Sequence, residues 1–133
     1  RLATNTGMMY DRDLYLTLTK TPSVAWEQNH TGAISVNKNA DIVIGKSVNC
    51  TGFDAFYSLN PENIQLVLQK GNIRLFDEEI KNQLTNQDFS ISQFSRIMLN
   101  GKVKYVYGDL VGFMTEILSY YPGADLPVSV CKN

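Results

Sequence analysis

Two adjacent residues, Asn100 and Gly101, constrain this chain more than any others. They separate two apolar-rich runs, residues 95–99 and 102–107. A two-residue type I′ turn needs positive φ at both central positions, and Asn-Gly accepts that conformation with the least strain. The spacing therefore predicts a β-hairpin. Residues 64–68, the turn Gln69-Lys70-Gly71-Asn72 and residues 73–76 predict a second one. The two units resemble each other: Gly71 and Gly101 occupy the same place, Ile73 matches Val103, and Leu75 matches Tyr105. Each is followed by an acidic residue, Asp77 or Asp109, suited to cap a helix. Two copies are too few for a solenoid, and the likeness is read as what any two hairpins share.

Helical periodicity is clearest near the end of the chain. Leu110, Phe113, Met114, Ile117, Leu118 and Tyr121 fall at i, i+3, i+4, i+7, i+8 and i+11, one continuous stripe. Pro122-Gly123 stops it. The stripe is expected to face the core, as are Tyr105, Tyr107, Tyr120 and Tyr121, with a pocket lining as the lesser reading. A shorter helix after Asp77 places Ile80 and Leu84 on one face. Upstream, residues 13–20 predict a helix capped by Asp13, with Leu14, Tyr15 and Leu18 on one face, and Pro22 ends it or begins the next turn. Residues 23–27 suggest one more short helix and 54–59 a helical turn. Residues 32–36 read as a short strand. Ala40 to Ile44, with three consecutive β-branched residues, reads as a strand buried on both faces.

Length and charge narrow the function. At 133 residues the chain is of single-domain size and can bury a core. Twelve basic against thirteen acidic residues give a net charge of -1. That balance carries no basic stripe for nucleic acid or an anionic membrane, and no apolar run approaches the ~20 residues of a membrane span. The single histidine, His30, lies in a polar loop and is expected to be solvated. Cys50 and Cys131 are too far apart in sequence to form a metal or redox motif and are expected to be free thiols. Glu78-Glu79 could serve acid–base chemistry, but adjacent carboxylates in a first helical turn are explained by the macrodipole. No Gly-rich phosphate loop and no Gly-x-Ser-x-Gly elbow occurs. No catalytic, cofactor-binding or metal-binding residue is therefore assigned.

Several short motifs, in order, carry a family resemblance. Thr19-Lys20-Thr21-Pro22-Ser23-Val24-Ala25-Trp26 is similar to the Thr-x-x-Pro-Ala-x-x-Leu segment that closes the catalytic barrel of amidohydrolase-superfamily enzymes. The run from Gly32 through Lys38 and Ala40-Asp41 to Ile44 resembles that family's Gly-Ser-Ile-x-x-Gly-Lys-x-Ala-Asp-Leu-Val-Val. The run from Pro61 to Gly71 resembles its Pro-x-x-Ile-x-x-Val-x-x-x-Gly hairpin. Asn37 stands where the family prefers glycine, and Trp26 where it prefers leucine. The match spans residues 14–76; the tail from Asn86 onward matches nothing in the family pattern. Within the signature Gly32 is expected to begin a tight turn, Lys38 to cover one, and Ala40 to be small under neighbouring strands. Asp41 is expected to bond a turn backbone, and residues 42–44 to fill the sheet.

The resemblance implies an α+β fold: a β-sandwich-like or half-barrel composite domain, with a short N-terminal helix and a C-terminal amphipathic helix. Residues 1–31 would be the remnant of the last barrel helix and a linker, and residues 32–133 the C-terminal β-rich composite domain. It implies a metal-dependent hydrolase of amide, cyclic amide or amino-substituted ring C–N bonds. The zinc-like divalent metal would sit in a barrel preceding Arg1, so this piece itself is expected to be structural and catalytically inert. Its partner would be the catalytic barrel of its own parent chain, with a homo-oligomer as a further possibility and a cytoplasmic location. An opening on Arg1, without methionine, fits a missing start. Two other readings stay open: a free-standing β-rich binding module, with the Tyr-rich hairpin and final helix forming a groove, and a self-association domain.

Overall fold

A computed structural model describes residues 7, 9–47, 49–84 and 90–131. Residues 1–6 and 8 of the expected 1–31 segment lie outside the described residues. The fold is mixed α and β. Helices α1 (Asp11–Leu18) and α2 (Lys20–Ala25) precede β1 (Ile42–Gly45) and α3 (Gly52–Tyr57). Then come β2 (Ile64–Gln69), β3 (Asn72–Asp77) and α4 (Lys81–Leu84). The C-terminal part holds β4 (Phe94–Leu99), β5 (Lys102–Tyr107), α5 (Leu110–Tyr120) and β6 (Ser129–Val130). The six strands form one sheet in the order β1-β2-β3-β5-β4-β6, with every neighbouring pair antiparallel.

Both expected hairpins form, for the expected reason. Asn100 and Gly101 take φ of 46° and 77°. Lys70 and Gly71 take 51° and 80°. A lysine in the left-handed region is unusual. Here the turn is held from outside: the Lys70 N–H donates to Asp41 Oδ1 at 2.7 Å and the Gly71 N–H to the Ala40 carbonyl at 3.0 Å.

The two hairpins meet through β3 and β5, and the meeting is close to two-fold symmetric. Leu75 faces Val106 and Phe76 faces Tyr105. Under the thirty-residue offset that relates Gly71 to Gly101, each of these pairs becomes the other. The outer strands follow suit: β1 places Val43 opposite Val67, and β6 places Val130 opposite Ile97, the offset equivalent of Val67. The likeness between the units thus extends beyond the hairpins to their neighbours in the sheet. It breaks at an irregularity between Val67 and Leu68, absent from the second hairpin.

Phe76 and Tyr105, as register partners, stack with ring centroids 4.7 Å apart, and Phe94 meets Phe76 edge-on at 5.2 Å. Phe76 and Tyr105, with Ile97 and Met114, make up the buried apolar residues among those described, and Phe94 is half-buried. Successive side chains on a strand alternate faces, so the next pair, Asp77 and Lys104, projects to the opposite face. Lys104 is 0 % exposed. Its ammonium donates to Asp77 Oδ2 at 2.5 Å and to the carbonyls of Glu62 and Ile64, each at 2.7 Å. Asp77 also caps the following turn as expected, accepting from the Glu79 N–H at 2.8 Å. Asp109 likewise accepts from the Gly112 N–H at 2.8 Å.

Several expectations are corrected. Helix α1 begins at Asp11 after Tyr10, so Asp13 lies within the first turn, where its charge suits the dipole, rather than at the cap. Pro22, expected to end the first helix or begin the next turn, lies in the first turn of α2, where its missing N–H leaves no bond unmade. Residues 32–36 form bends and not a strand, with no neighbouring strand to pair them among the described residues. β1 is an edge strand with Val43 and Ile44 exposed, not a strand buried on both faces, and Ala40 is exposed too. The stripe on α5 is only partly core. Met114 is buried and Leu110 and Ile117 half-buried, while Phe113, Leu118 and Tyr121 are exposed. Of the tyrosines expected inside, only Tyr105 is buried.

Candidate functional site

The segment from Gly32 to Ile44 is built on two left-handed residues. Gly32 takes φ +80°, and a Cβ there would come within 2.7 Å of Ser23 Oγ on α2. The turn therefore packs against the helix with no room for a side chain. Asn37 takes φ 67°. The preference for glycine at that position has a conformational cause, and asparagine is the side chain that tolerates the region best. Lys38 Nζ donates to the Asn29 carbonyl and the Asn39 N–H to the His30 carbonyl, closing the loop. Asp41 reaches on to the β2–β3 turn. The expected roles of Gly32, Lys38 and Asp41 are thus the ones they play; residues 42–44 join the sheet with Ile42 half-buried, while Ala40, Val43 and Ile44 are exposed.

Gly32→Ala should destabilise the arm by about 1–2 kcal/mol from backbone strain alone, with the Ser23 contact added. Hydrogen exchange of residues 19–39 should speed up accordingly, and Asn37→Gly should leave it within error. Unchanged exchange in Gly32→Ala would mean that the turn is not held in this form.

Helix α1 docks on α3 through a ring cluster. Tyr15 lies 5.2 Å from Phe56 and 6.0 Å from Phe53, and the Tyr57 hydroxyl donates to the Asp11 carbonyl at 2.7 Å. The rest of the arm stays open. Leu18 is 64 % exposed, Trp26 77 % and Val36 88 %, and Val24 and Ile34 are exposed beside them. Among the described residues the outer edge of β1 has no strand partner.

A charged belt crosses one end of the sheet. Glu79 accepts from Lys46 at 2.9 Å and Lys102 at 3.0 Å. The hydrogen bonds from Lys46 and Lys102, and then their charges, hold its carboxyl down at about 2. A depressed carboxylate contributes stability above its unfolded value, ~4.3, that is lost as pH falls through its folded one. Glu79→Gln should therefore flatten the fall in Tm between about pH 4.3 and pH 2. Equal acid sensitivity in both proteins would assign that loss to other carboxylates. The pair Glu78-Glu79 sits in salt bridges, Glu78 with Lys81 and Arg96 and Glu79 with the two lysines, and not in an acid–base arrangement.

His30 lines an open cleft of about 880 Å³ between the 27–41 loop and the β2–β3 hairpin, together with Glu27, Asp41, Lys70 and Arg74. It is exposed, as expected. Cys50 and Cys131 are free thiols. Among the described residues no three His, Cys, Asp or Glu side chains converge to hold a metal ion, so the described residues do not fit the divalent metal that the resemblance implies, and no chemical step is routed through one. No described helix is long and apolar enough to cross a membrane. Sequence reasoning missed the burial of Lys104 and the strand at Ser129–Val130. The signal for the first was a lysine alternating with apolar residues in β5, opposite an acidic residue ending β3. Comparison with known proteins returns no matching family model, no matching curated protein and no matching solved structure.

Proposed function

We propose that this chain is the C-terminal, non-catalytic region of a metal-dependent amidohydrolase-like enzyme acting on amide, cyclic amide or amino-substituted ring C–N bonds. The observation that carries the reading is the signature segment. Its glycine-preferring positions, 32 and 37, both have positive φ, and its Asp41 ties the segment to the following hairpin. The residues that make the motif recognisable thus have conformational reasons to be there. The exposed Leu18, Val24 and Trp26 on the helical arm supply an apolar surface for the catalytic barrel of the parent chain. The outer edge of β1, unpaired among the described residues, supplies a place where further strands would complete a sandwich-like or half-barrel domain. The zinc-like metal belongs to that barrel.

The decisive test is the reading frame before Arg1. A His-x-His after a predicted strand supports the proposal; an upstream sequence without a histidine pair removes it. Supplied in trans, that upstream polypeptide should raise the Tm of this chain, because a partner that binds only the folded state stabilises it by mass action. Trp26→Ser should weaken the rise. An unchanged Tm at saturating partner would exclude the docking surface. A second reading, a free-standing binding module, is favoured by the cavity that Tyr105 and Val111 line beside the final helix.

A further inference from the structure

The cavity between β4, β5, β6 and the start of α5 has a volume of about 490 Å³. That is within the range of small-ligand pockets. Its walls divide by chemistry. Ile91, Phe94, Val111 and Val130 supply apolar surface from four different elements of the chain. Lys81, Arg96 and Tyr105 supply the polar groups.

The polar groups line one cavity. Lys81 Nζ donates to the Tyr105 hydroxyl at 3.1 Å, and Arg96 lines the same cavity, ion-paired with Glu78. Tyr105 is 5 % exposed and is held from behind by its stack on Phe76. Its oxygen accepts, and its own hydrogen has no acceptor among the described residues, so an O–H donor remains inside the cavity. One carboxylate opposes the two cations. Glu78 Oε2 lies 3.5 Å from Arg96 Nε, and Glu78 Oε1 lies 3.9 Å from Lys81 Nζ. Among the described residues of the site, two positive charges stand against one negative charge. A guanidinium, an ammonium and a phenol lining one cavity suit an anionic acceptor with two oxygens. The apolar walls suit a hydrocarbon body attached to it.

We propose that this cavity binds a small amphipathic carboxylate, an aromatic or branched short-chain acid whose carboxyl meets Arg96, Lys81 and Tyr105 and whose body lies against Phe94 and Val111. The site is independent of the hydrolase reading, since it uses neither the helical arm nor the signature segment.

The test is an NMR titration of the 133-residue chain with phenylacetate, phenylacetamide and inorganic phosphate. Phenylacetate should move the amides of Ile91, Arg96, Tyr105 and Val111 saturably. Phenylacetamide, which has the same shape without the charge, should bind at least about tenfold more weakly. Phosphate should compete weakly, because it leaves the apolar walls unused. Arg96→Gln should lose about tenfold in phenylacetate affinity. If that variant does not fold, Lys81→Gln serves, its side chain being partly solvent-exposed. Equal affinity for phenylacetate and phenylacetamide would overturn the proposal. So would phosphate binding as tightly as phenylacetate, saturable shifts confined to other residues, or no saturation at all.

Discussion

Asp77→Asn should cost the fold about 3–5 kcal/mol, the range for removing one partner of a buried ion pair. The reason is the position of Lys104, which has no exposure to water and three acceptors. Two of these are neutral carbonyls, from Glu62 and Ile64; the Asp77 carboxylate alone balances the charge. Asparagine keeps an acceptor for the Glu79 N–H, so the cap survives in large part and the variant isolates the charge. Total stabilities of single domains are about 5–15 kcal/mol, so the loss is a large share of the whole. The double variant Asp77→Asn/Lys104→Met should recover much of it, because the uncompensated charge is gone. Urea unfolding of the three proteins measures this. A single-variant loss under about 1 kcal/mol would mean that Lys104 reaches water in solution.

Phe76→Ala should cost a similar amount, about 3–5 kcal/mol. Phe76 is fully buried at the centre of the sheet, stacked on Tyr105 and met edge-on by Phe94. The ring lies at the seam where the two hairpins join, so the cavity opens between them. Among the described residues the other buried apolar side chains are Ile97, Tyr105 and Met114, a small core with little to collapse into the gap. Phe76→Leu should cost much less, under about 1.5 kcal/mol, because volume is nearly kept. Trp26→Ser, though it removes the largest side chain in the sequence, should stay within about 0.5 kcal/mol in the isolated chain, since that ring is mostly exposed. Equal losses for Phe76→Ala and Trp26→Ser would overturn the assignment of core and surface.

The contrast between those two aromatic residues bears on function. On the proposed reading, the exposed helical arm is the surface that packs against the catalytic barrel of the parent chain. The cavity at Arg96 lies at the other end of the fold and asks for a ligand of different chemistry. The two proposals can fail separately: one is decided by the upstream reading frame and the Tm in trans, the other by the charge on phenylacetate.

The local parts of this fold were legible in the sequence. Asn100-Gly101 and Lys70-Gly71 mark their turns because positive φ is a demand made on two adjacent residues. Asp77 and Asp109 mark helix starts because a cap bonds an N–H two or three positions on. Gly32 and Asn37 mark the signature turns for the same kind of reason. What only the tertiary structure decided depends on partners distant in the chain. The pairing of β3 with β5 sets Phe76 on Tyr105 and Asp77 on Lys104, yet nothing within either hairpin specifies which strand of the other it will meet. The burial of Lys104 follows from carbonyls some forty residues earlier. The edge position of β1 and the exposure of Leu18 and Trp26 follow from what does not pack on them. The same β-branched run or apolar stripe reads alike in either case, because periodicity reports which face is apolar and not whether that face is covered.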